Sequence, residues 1–163
     1  STLTVDNIVG TTTAGNVHIP GAVIQVKNTN TNTRTTHSST SYQVADDIVA
    51  TITPKYTTSK ILVMMNVMAR TFNGGGADSS IKVGFSRDGG STIISPIRTR
   101  AYDYGSNGII VESSLSANFL DSPATTSSLT YQVYFAFENG TNATVNNFSP
   151  DSHSSITLME IAQ

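Results

Sequence analysis

The sequence predicts an all-β fold, an antiparallel β-sandwich or jelly roll with a short extended β arm on its N-terminal side. Three observations predict it. Short runs alternate apolar with polar residues, or are rich in β-branched side chains, as half-buried strands require. Gly, Pro, Asn and Asp punctuate those runs at short intervals, and almost nothing reads as helix. The length, 163 residues, suits a single domain.

Residues 1–20 place Leu3, Val5, Ile8, Val17 and Ile19 among Thr, Asn and Gly, which reads as two short strands around residues 10–15. This segment is too small for a core of its own. Three copies wrapped about an axis would bury its apolar positions, so residues 1–20 are expected to be a trimerising arm and residues 21–163 the main domain. The alternative is an arm folded back onto its own domain. Strands are expected at 22–27, 47–53, 61–69, 81–87, 97–102, 109–117, 129–137 and 155–161. The run 61–69 (Ile-Leu-Val-Met-Met-Asn-Val-Met-Ala) is apolar enough for a buried central strand. A short helix would share its periodicity, but Thr-rich neighbours and the loop Asn73-Gly74-Gly75-Gly76 favour a strand. In 129–137, Val133, Phe135 and Phe137 alternate with Tyr134 and Ala136, so this strand is covered on both faces or lies at a subunit contact. Asp88-Gly89-Gly90 marks a hairpin, because glycine reaches the positive φ of tight turns. Pro54, Pro96, Pro123 and Pro150 fall at run edges, where a missing N–H breaks no ladder.

Charged residues make up only 12%, while Thr, Ser and Asn supply roughly a third of the chain. Hydroxyls and amides therefore solubilise the surface. A formal net charge of -2 provides no basic stripe for phosphates, which argues against a nucleic-acid partner. No run approaches the ~20 apolar residues of a membrane span, and no basic-then-apolar leader is present, so neither membrane insertion nor an address is expected. Without cysteine there is no disulfide scaffold, thiol nucleophile or zinc–thiolate site.

The chemistry-bearing residues are scattered. His18, His37 and His153 lack metal-site spacing, although His18 would become three imidazoles about the axis of a trimer. A glycosidase pair drawn from Asp46, Asp47, Asp121, Asp151 and Glu160 would need two carboxyls about 5 to 10 Å apart in a cleft. Nothing in the sequence brings two together, and most sit beside turn residues, where Asp caps its own backbone. Nucleophile-elbow, P-loop and dinucleotide fingerprints do not occur. The expectation is a non-enzyme with no catalytic residue, metal or cofactor. The triplets Asn139-Gly140-Thr141, Asn142-Ala143-Thr144 and Asn147-Phe148-Ser149 match a glycosylation sequon within one expected loop, a pattern that chance readily produces in so Asn- and Thr-rich a chain.

Several segments carry a family resemblance: Leu3-Thr4-Val5-Asp6-Asn7-Ile8, Gly15-Asn16-Val17-His18-Ile19-Pro20-Gly21, Ile52-Thr53-Pro54 leading to Ser59-Lys60-Ile61-Leu62-Val63, Phe119-Leu120-Asp121-Ser122-Pro123, and Ser155-Ile156-Thr157-Leu158-Met159-Glu160-Ile161. Together they resemble C-terminal regions of tail-fibre and virion structural proteins of tailed bacteriophages, especially marine ones. The resemblance implies a homotrimeric fibre end joined to an upstream shaft, with a jelly-roll head similar to tumour-necrosis-factor-like trimers. It transfers no functional residue.

If strands alternate in direction, alternate loops share an end. Compact turns at 54–59, 88–90 and 121–126 fall at one end. Loops at 71–80, 103–108 and 138–154, generally longer and rich in Gly and Asn, fall at the other, away from the arm, where a fibre meets its host. This places Phe72, Asn73, Tyr102, Asp103, Tyr104, Asn107 and Phe148 as receptor-binding residues, since exposed aromatics and amides stack on and hydrogen-bond to sugars. The competing reading has Phe72 and Phe148 plugging the sandwich end. The expected function is adhesion of a virion tail fibre, outside the cell, to a host-surface glycan or outer-membrane protein. The alternative is a jelly roll that only builds the virion.

Overall fold

The computed structural model describes residues 19–75, 78–102, 108–146 and 151–163, so the expected arm up to His18 lies outside the described residues. The described residues form β1 (Val23–Thr31), β2 (Thr35–His37), β3 (Gln43–Ile52), β4 (Lys60–Asn73), β5 (Asp78–Ser86), β6 (Ile94–Tyr102), β7 (Ile109–Asp121), β8 (Leu129–Asn139), β9 (Asn142–Val145) and β10 (Ser154–Ile161), with no helix among them. All pairings are antiparallel. One sheet runs β1-β10-β4-β7, and the short β2-β9 pair continues the β1-β10 ladder beside the other half of β4. The second sheet runs β3-β8-β5-β6. The chain passes repeatedly from one sheet to the other, and this strand order is that of a jelly roll.

Alternation along each strand builds the core. Ile61, Val63, Met65, Val67 and Ala69 of β4 point inward beside Ile156 and Leu158 of β10. They meet Ile81, Val83 and Phe85 of β5 and Tyr131, Val133 and Phe135 of β8. All these side chains are essentially removed from water, which contributes about 1.5–3 kcal/mol for each large one. The strand expected at 61–69 is therefore central, and it extends to Asn73.

Two expectations change. The strand expected from Asp47 begins at Gln43, because Asp46 and Asp47 occupy a bulge within it: pairing with β8 jumps from Val44 to Val49, and Asp47 takes φ 62°. The loop expected over 138–154 is largely strand, since β8 runs to Asn139 and β9 occupies Asn142–Val145. Neither β2 nor β9 was expected. For β8 the chain itself covers the middle of the outer face, at Tyr134 and Ala136, while Thr130 and Glu138 stay exposed. A Cβ at Gly84 would lie 2.5 Å from Ile93, and one at Gly90 2.7 Å from the Tyr134 ring, so the β5–β6 loop folds over the outer face of the second sheet. That hairpin does follow its Asp-Gly-Gly signal, with Gly89 at φ 71° and Gly90 at φ 90°.

The molecule has two distinct ends. At the near end, Gly21 N–H donates to Ala162 O and Ala162 N–H to Ala22 O, beside the start of β4 and the end of β7. At the far end, β4 leaves through Asn73, β5 enters at Asp78, β6 leaves at Tyr102, β7 enters at Ile109 and the β8–β9 turn closes over Phe72. The strand ends at Asn73, Asp78, Tyr102 and Ile109 and the turn at 140–141 thus share the end opposite Gly21. The link between β9 and β10 does not. It departs where Asn146 N–H bonds Met68 O and returns where Ser155 pairs with Asn66, midway along β4. The clasp at its neck joins Asn146, Ser154 and the Met68 N–H.

Candidate functional site

Of the expected receptor residues, Asp103, Tyr104, Asn107 and Phe148 lie outside the described residues. The other three sit at the far end but do not converge. Phe72 projects from the outer face of the first sheet, paired with Ile110 and Asn142. Tyr102 projects from the outer face of the second, 59% exposed, with the Arg100 guanidinium 4.4 Å from its ring centre. Asn73 turns its amide to Asp78 O at 2.5 Å and braces the β4–β5 loop. Phe72 does not plug the sandwich. Its neighbour Thr71 is the buried one, while the Phe72 ring is 36% exposed. A Cβ at Gly108 would meet Asn73 O at 2.9 Å and that ring at 3.2 Å, so glycine is required there by close approach.

Strand register assembles a different site around Phe72. Thr36 of β2 pairs with Thr144 of β9, which pairs with Arg70 of β4, which pairs with Glu112 of β7; the next row is Asn142, Phe72 and Ile110. With Arg34, from the break between β1 and β2, these residues other than Glu112 line an open cavity of about 230 Å³. Thr36 and Thr144 share a hydroxyl–hydroxyl hydrogen bond of 2.9 Å. The Phe72 carbonyl accepts from the Thr141 N–H at 2.8 Å and hydroxyl at 3.0 Å, and Thr71 Oγ1 donates to Asn142 O, which fixes the rim. Arg70 Nε stands 3.6 Å from Glu112, both part-exposed. The pattern Arg-Thr-Thr gave no sign of this site, because pairing alone unites residues 34 and 144.

Among the acidic and histidine candidates, Glu160, Asp121 and His37 hold structural contacts, and His18 lies outside the described residues. Glu160 is fully buried on β10 instead of capping a turn. Burial by itself would raise its pKa, yet the carboxyl is held below the usual range by Gln25, by the nearby Ser59 hydroxyl, whose geometry falls short of a full hydrogen bond, and by backbone N–H groups of Lys55 and Tyr56. Asp121 does accept from the adjacent Ser122 N–H, but it also receives the buried Tyr131 hydroxyl at 2.6 Å and Arg87 Nε at 3.0 Å. Burial, then the bond to Asp121, pushes the Tyr131 phenol far above its ordinary value. Glu160 and Asp121 flank Ile61 in one row, a pairing invisible in sequence. Both are buried in the sandwich and already occupied by structural donors, away from the open cavity. His37 packs on Phe135 and bonds Val44 O at 3.1 Å, and His153 is exposed. No group of three His, Asp or Glu suited to a metal occurs among the described residues. The sequons do not share a loop. Asn139 ends β8 with its amide on Asp78, and Asn142 begins β9.

Fold and site thus define an antiparallel jelly roll with a shallow polar cavity on one sheet face. No protein-family model and no curated protein sequence matches the chain. Among solved structures it is similar to Eiger TNF from S. frugiperda, with TM-score 0.46 and 10% identity over 89% of this chain and 95% of that one. A second likeness is to dimeric latent PorU from Porphyromonas gingivalis, with TM-score 0.35 and 9% identity over 91% of this chain and 14% of that one. Neither likeness is close enough to assign a function.

Proposed function

We propose that the chain is a non-catalytic, trimeric adhesion module, the receptor-binding tip of a phage tail fibre that acts outside the host cell. One observation carries this reading: the outer faces of the two sheets differ in chemistry. The second sheet presents the ion pairs Arg98–Glu138 and Arg100–Asp78, with Lys82 over the Tyr42 ring, a composition suited to water. Arg100 and Arg98 hold the Asp78 and Glu138 carboxyls below their ordinary range, which keeps both ionised. The first sheet instead aligns Val26, Met159, Leu62 and Leu120 in one row near the Gly21 end, with Val26 51% and Leu120 46% exposed. Above this row come Asn28, Thr157, Met64 and Asn118, then Asn30, Ser155, Asn66 and Ser116. An apolar row without charge on an otherwise polar molecule suits burial against further copies of the chain. A trimer joined near the Gly21 end leaves the far-end loops free for a receptor.

The test is binding of fluorescently labelled protein to phage-susceptible cells, competed with intact phage. Saturable binding that phage displaces supports adhesion. Absence of binding by a correctly assembled trimer favours the alternative of a purely structural virion jelly roll.

A further inference from the structure

We propose that the cavity between Arg34 and Arg70 binds a carboxylated sugar, a uronic-acid-type unit of a surface glycan. This inference rests on the adhesion reading and names its ligand class. The first argument is charge. Among the described residues, Arg87, Arg98 and Arg100 each hold a carboxylate, whereas Arg34 meets none and Arg70 reaches Glu112 only at 3.6 Å. In a chain of net charge -2, two guanidinium groups therefore line one concavity with a single loosely paired acid beside them. A guanidinium presents a planar fork of donors that matches a carboxylate.

The second argument is the remaining lining. The Thr36 and Thr144 hydroxyls are both donors and acceptors, and the Asn142 side-chain amide has no hydrogen-bond partner among the described residues. Such groups suit ring hydroxyls. Phe72 and the 52%-exposed Ile110 supply an apolar wall for the C–H face of a sugar ring. At about 230 Å³ the cavity is smaller than the ~300–1,000 Å³ pockets of drug-sized ligands and matches the scale of one monosaccharide. It also lies clear of the apolar row, since Phe72 is ten residues along β4 from Leu62, roughly 33 Å in extended chain.

The experiment titrates the full chain with trigalacturonate, with its methyl ester and with a sulfated neutral trisaccharide, using calorimetry and amide NMR shifts. Trigalacturonate is expected to bind and to shift the Thr36 and Thr144 amides. Esterification, Arg34→Gln and Arg70→Gln are each expected to weaken binding at least about tenfold, the scale of one lost charge-assisted hydrogen bond. Glu112→Gln is expected to tighten it by freeing Arg70. Both arginines are exposed enough that the variants keep the wild-type melting temperature, which separates binding from folding. Equal binding of the ester, unchanged affinity in both arginine variants, a preference for the sulfated sugar, or no binding of trigalacturonate would each overturn the proposal. If Arg34→Gln and Arg70→Gln adhere to cells as well as wild type, the cavity proposal falls and adhesion stands. If trigalacturonate binds the cavity but the protein does not adhere to cells, the cavity proposal stands and adhesion falls.

Discussion

Replacing Glu160 with leucine tests whether a buried carboxylate organises the near end. Glu160 accepts from Gln25 Nε2 at 2.6 Å and from the Lys55 backbone N–H at 2.7 Å, and so ties β1 and the β3–β4 loop to β10. Each hydrogen bond to a charged group is worth about 1.5–3 kcal/mol, and leucine removes both, leaving the Lys55 N–H without its acceptor while Gln25 Nε2 keeps only its bond to Thr53 O. Part of that loss is offset by apolar burial, so about 3 kcal/mol of destabilisation is expected. For a domain of this size this corresponds to a fall in melting temperature of about 6–12 °C at pH 7. The pH dependence has a definite sign. The folded-state pKa of Glu160 is lowered, so its stabilisation is present above the ordinary glutamate value and is lost as pH falls through the folded value. Thermal unfolding followed by near-UV circular dichroism between pH 7 and pH 3 should therefore show the gap between wild type and Glu160→Leu narrowing below about pH 4.5. Asp78, Asp88 and Glu138 also have lowered values, but both proteins share them, so they cancel in the difference. A melting temperature unchanged at pH 7, or a gap independent of pH, would refute the reasoning.

Three further substitutions probe other parts of the fold. Leu158→Ala, at a fully buried position facing the second sheet, should cost about 2–5 kcal/mol through the cavity it leaves, measured by urea unfolding. Gly90→Ala should destabilise by more than about 1 kcal/mol in the same assay, because the position has φ 90° and its Cβ would meet the Tyr134 ring at 2.7 Å. Tyr131→Phe removes the 2.6 Å bond to Asp121 but leaves Arg87 and the Ser122 N–H in place. A loss of about 1–2 kcal/mol is expected, and a neutral result would show that the hydroxyl contributes nothing net.

The strands were legible where one face is buried. β4, β5, β8 and β10 carry their inward residues at strict period two, and burial enforces that pattern. β2 and β9 were not legible: Thr-Thr-His and Asn-Ala-Thr-Val hold little apolar signal, and pairing of β9 to β4 and of β2 to β9 makes them strands. The bulge at Asp46–Asp47 hid the start of β3, because two exposed acids interrupt the alternation and only the register reveals that Ala45 and Ile48 both face inward. The far-end position of Phe72, Asn73 and Tyr102 followed from strand parity. Parity cannot tell the outer face of one sheet from that of the other, and so could not separate Phe72 from Tyr102. The Arg34–Arg70 cavity depends on pairings across more than a hundred residues and left no local trace.

The central claim, assembly through the apolar row Val26, Met159, Leu62 and Leu120 on the outer face of the first sheet, is tested most directly by sedimentation equilibrium of the full chain at micromolar concentration. The account predicts a single species of about 52 kDa, three copies of the 17.2 kDa chain, reduced to monomer by Leu120→Asp without loss of the β-sheet circular-dichroism signal. A wild-type protein that sediments as a 17.2 kDa monomer would contradict it.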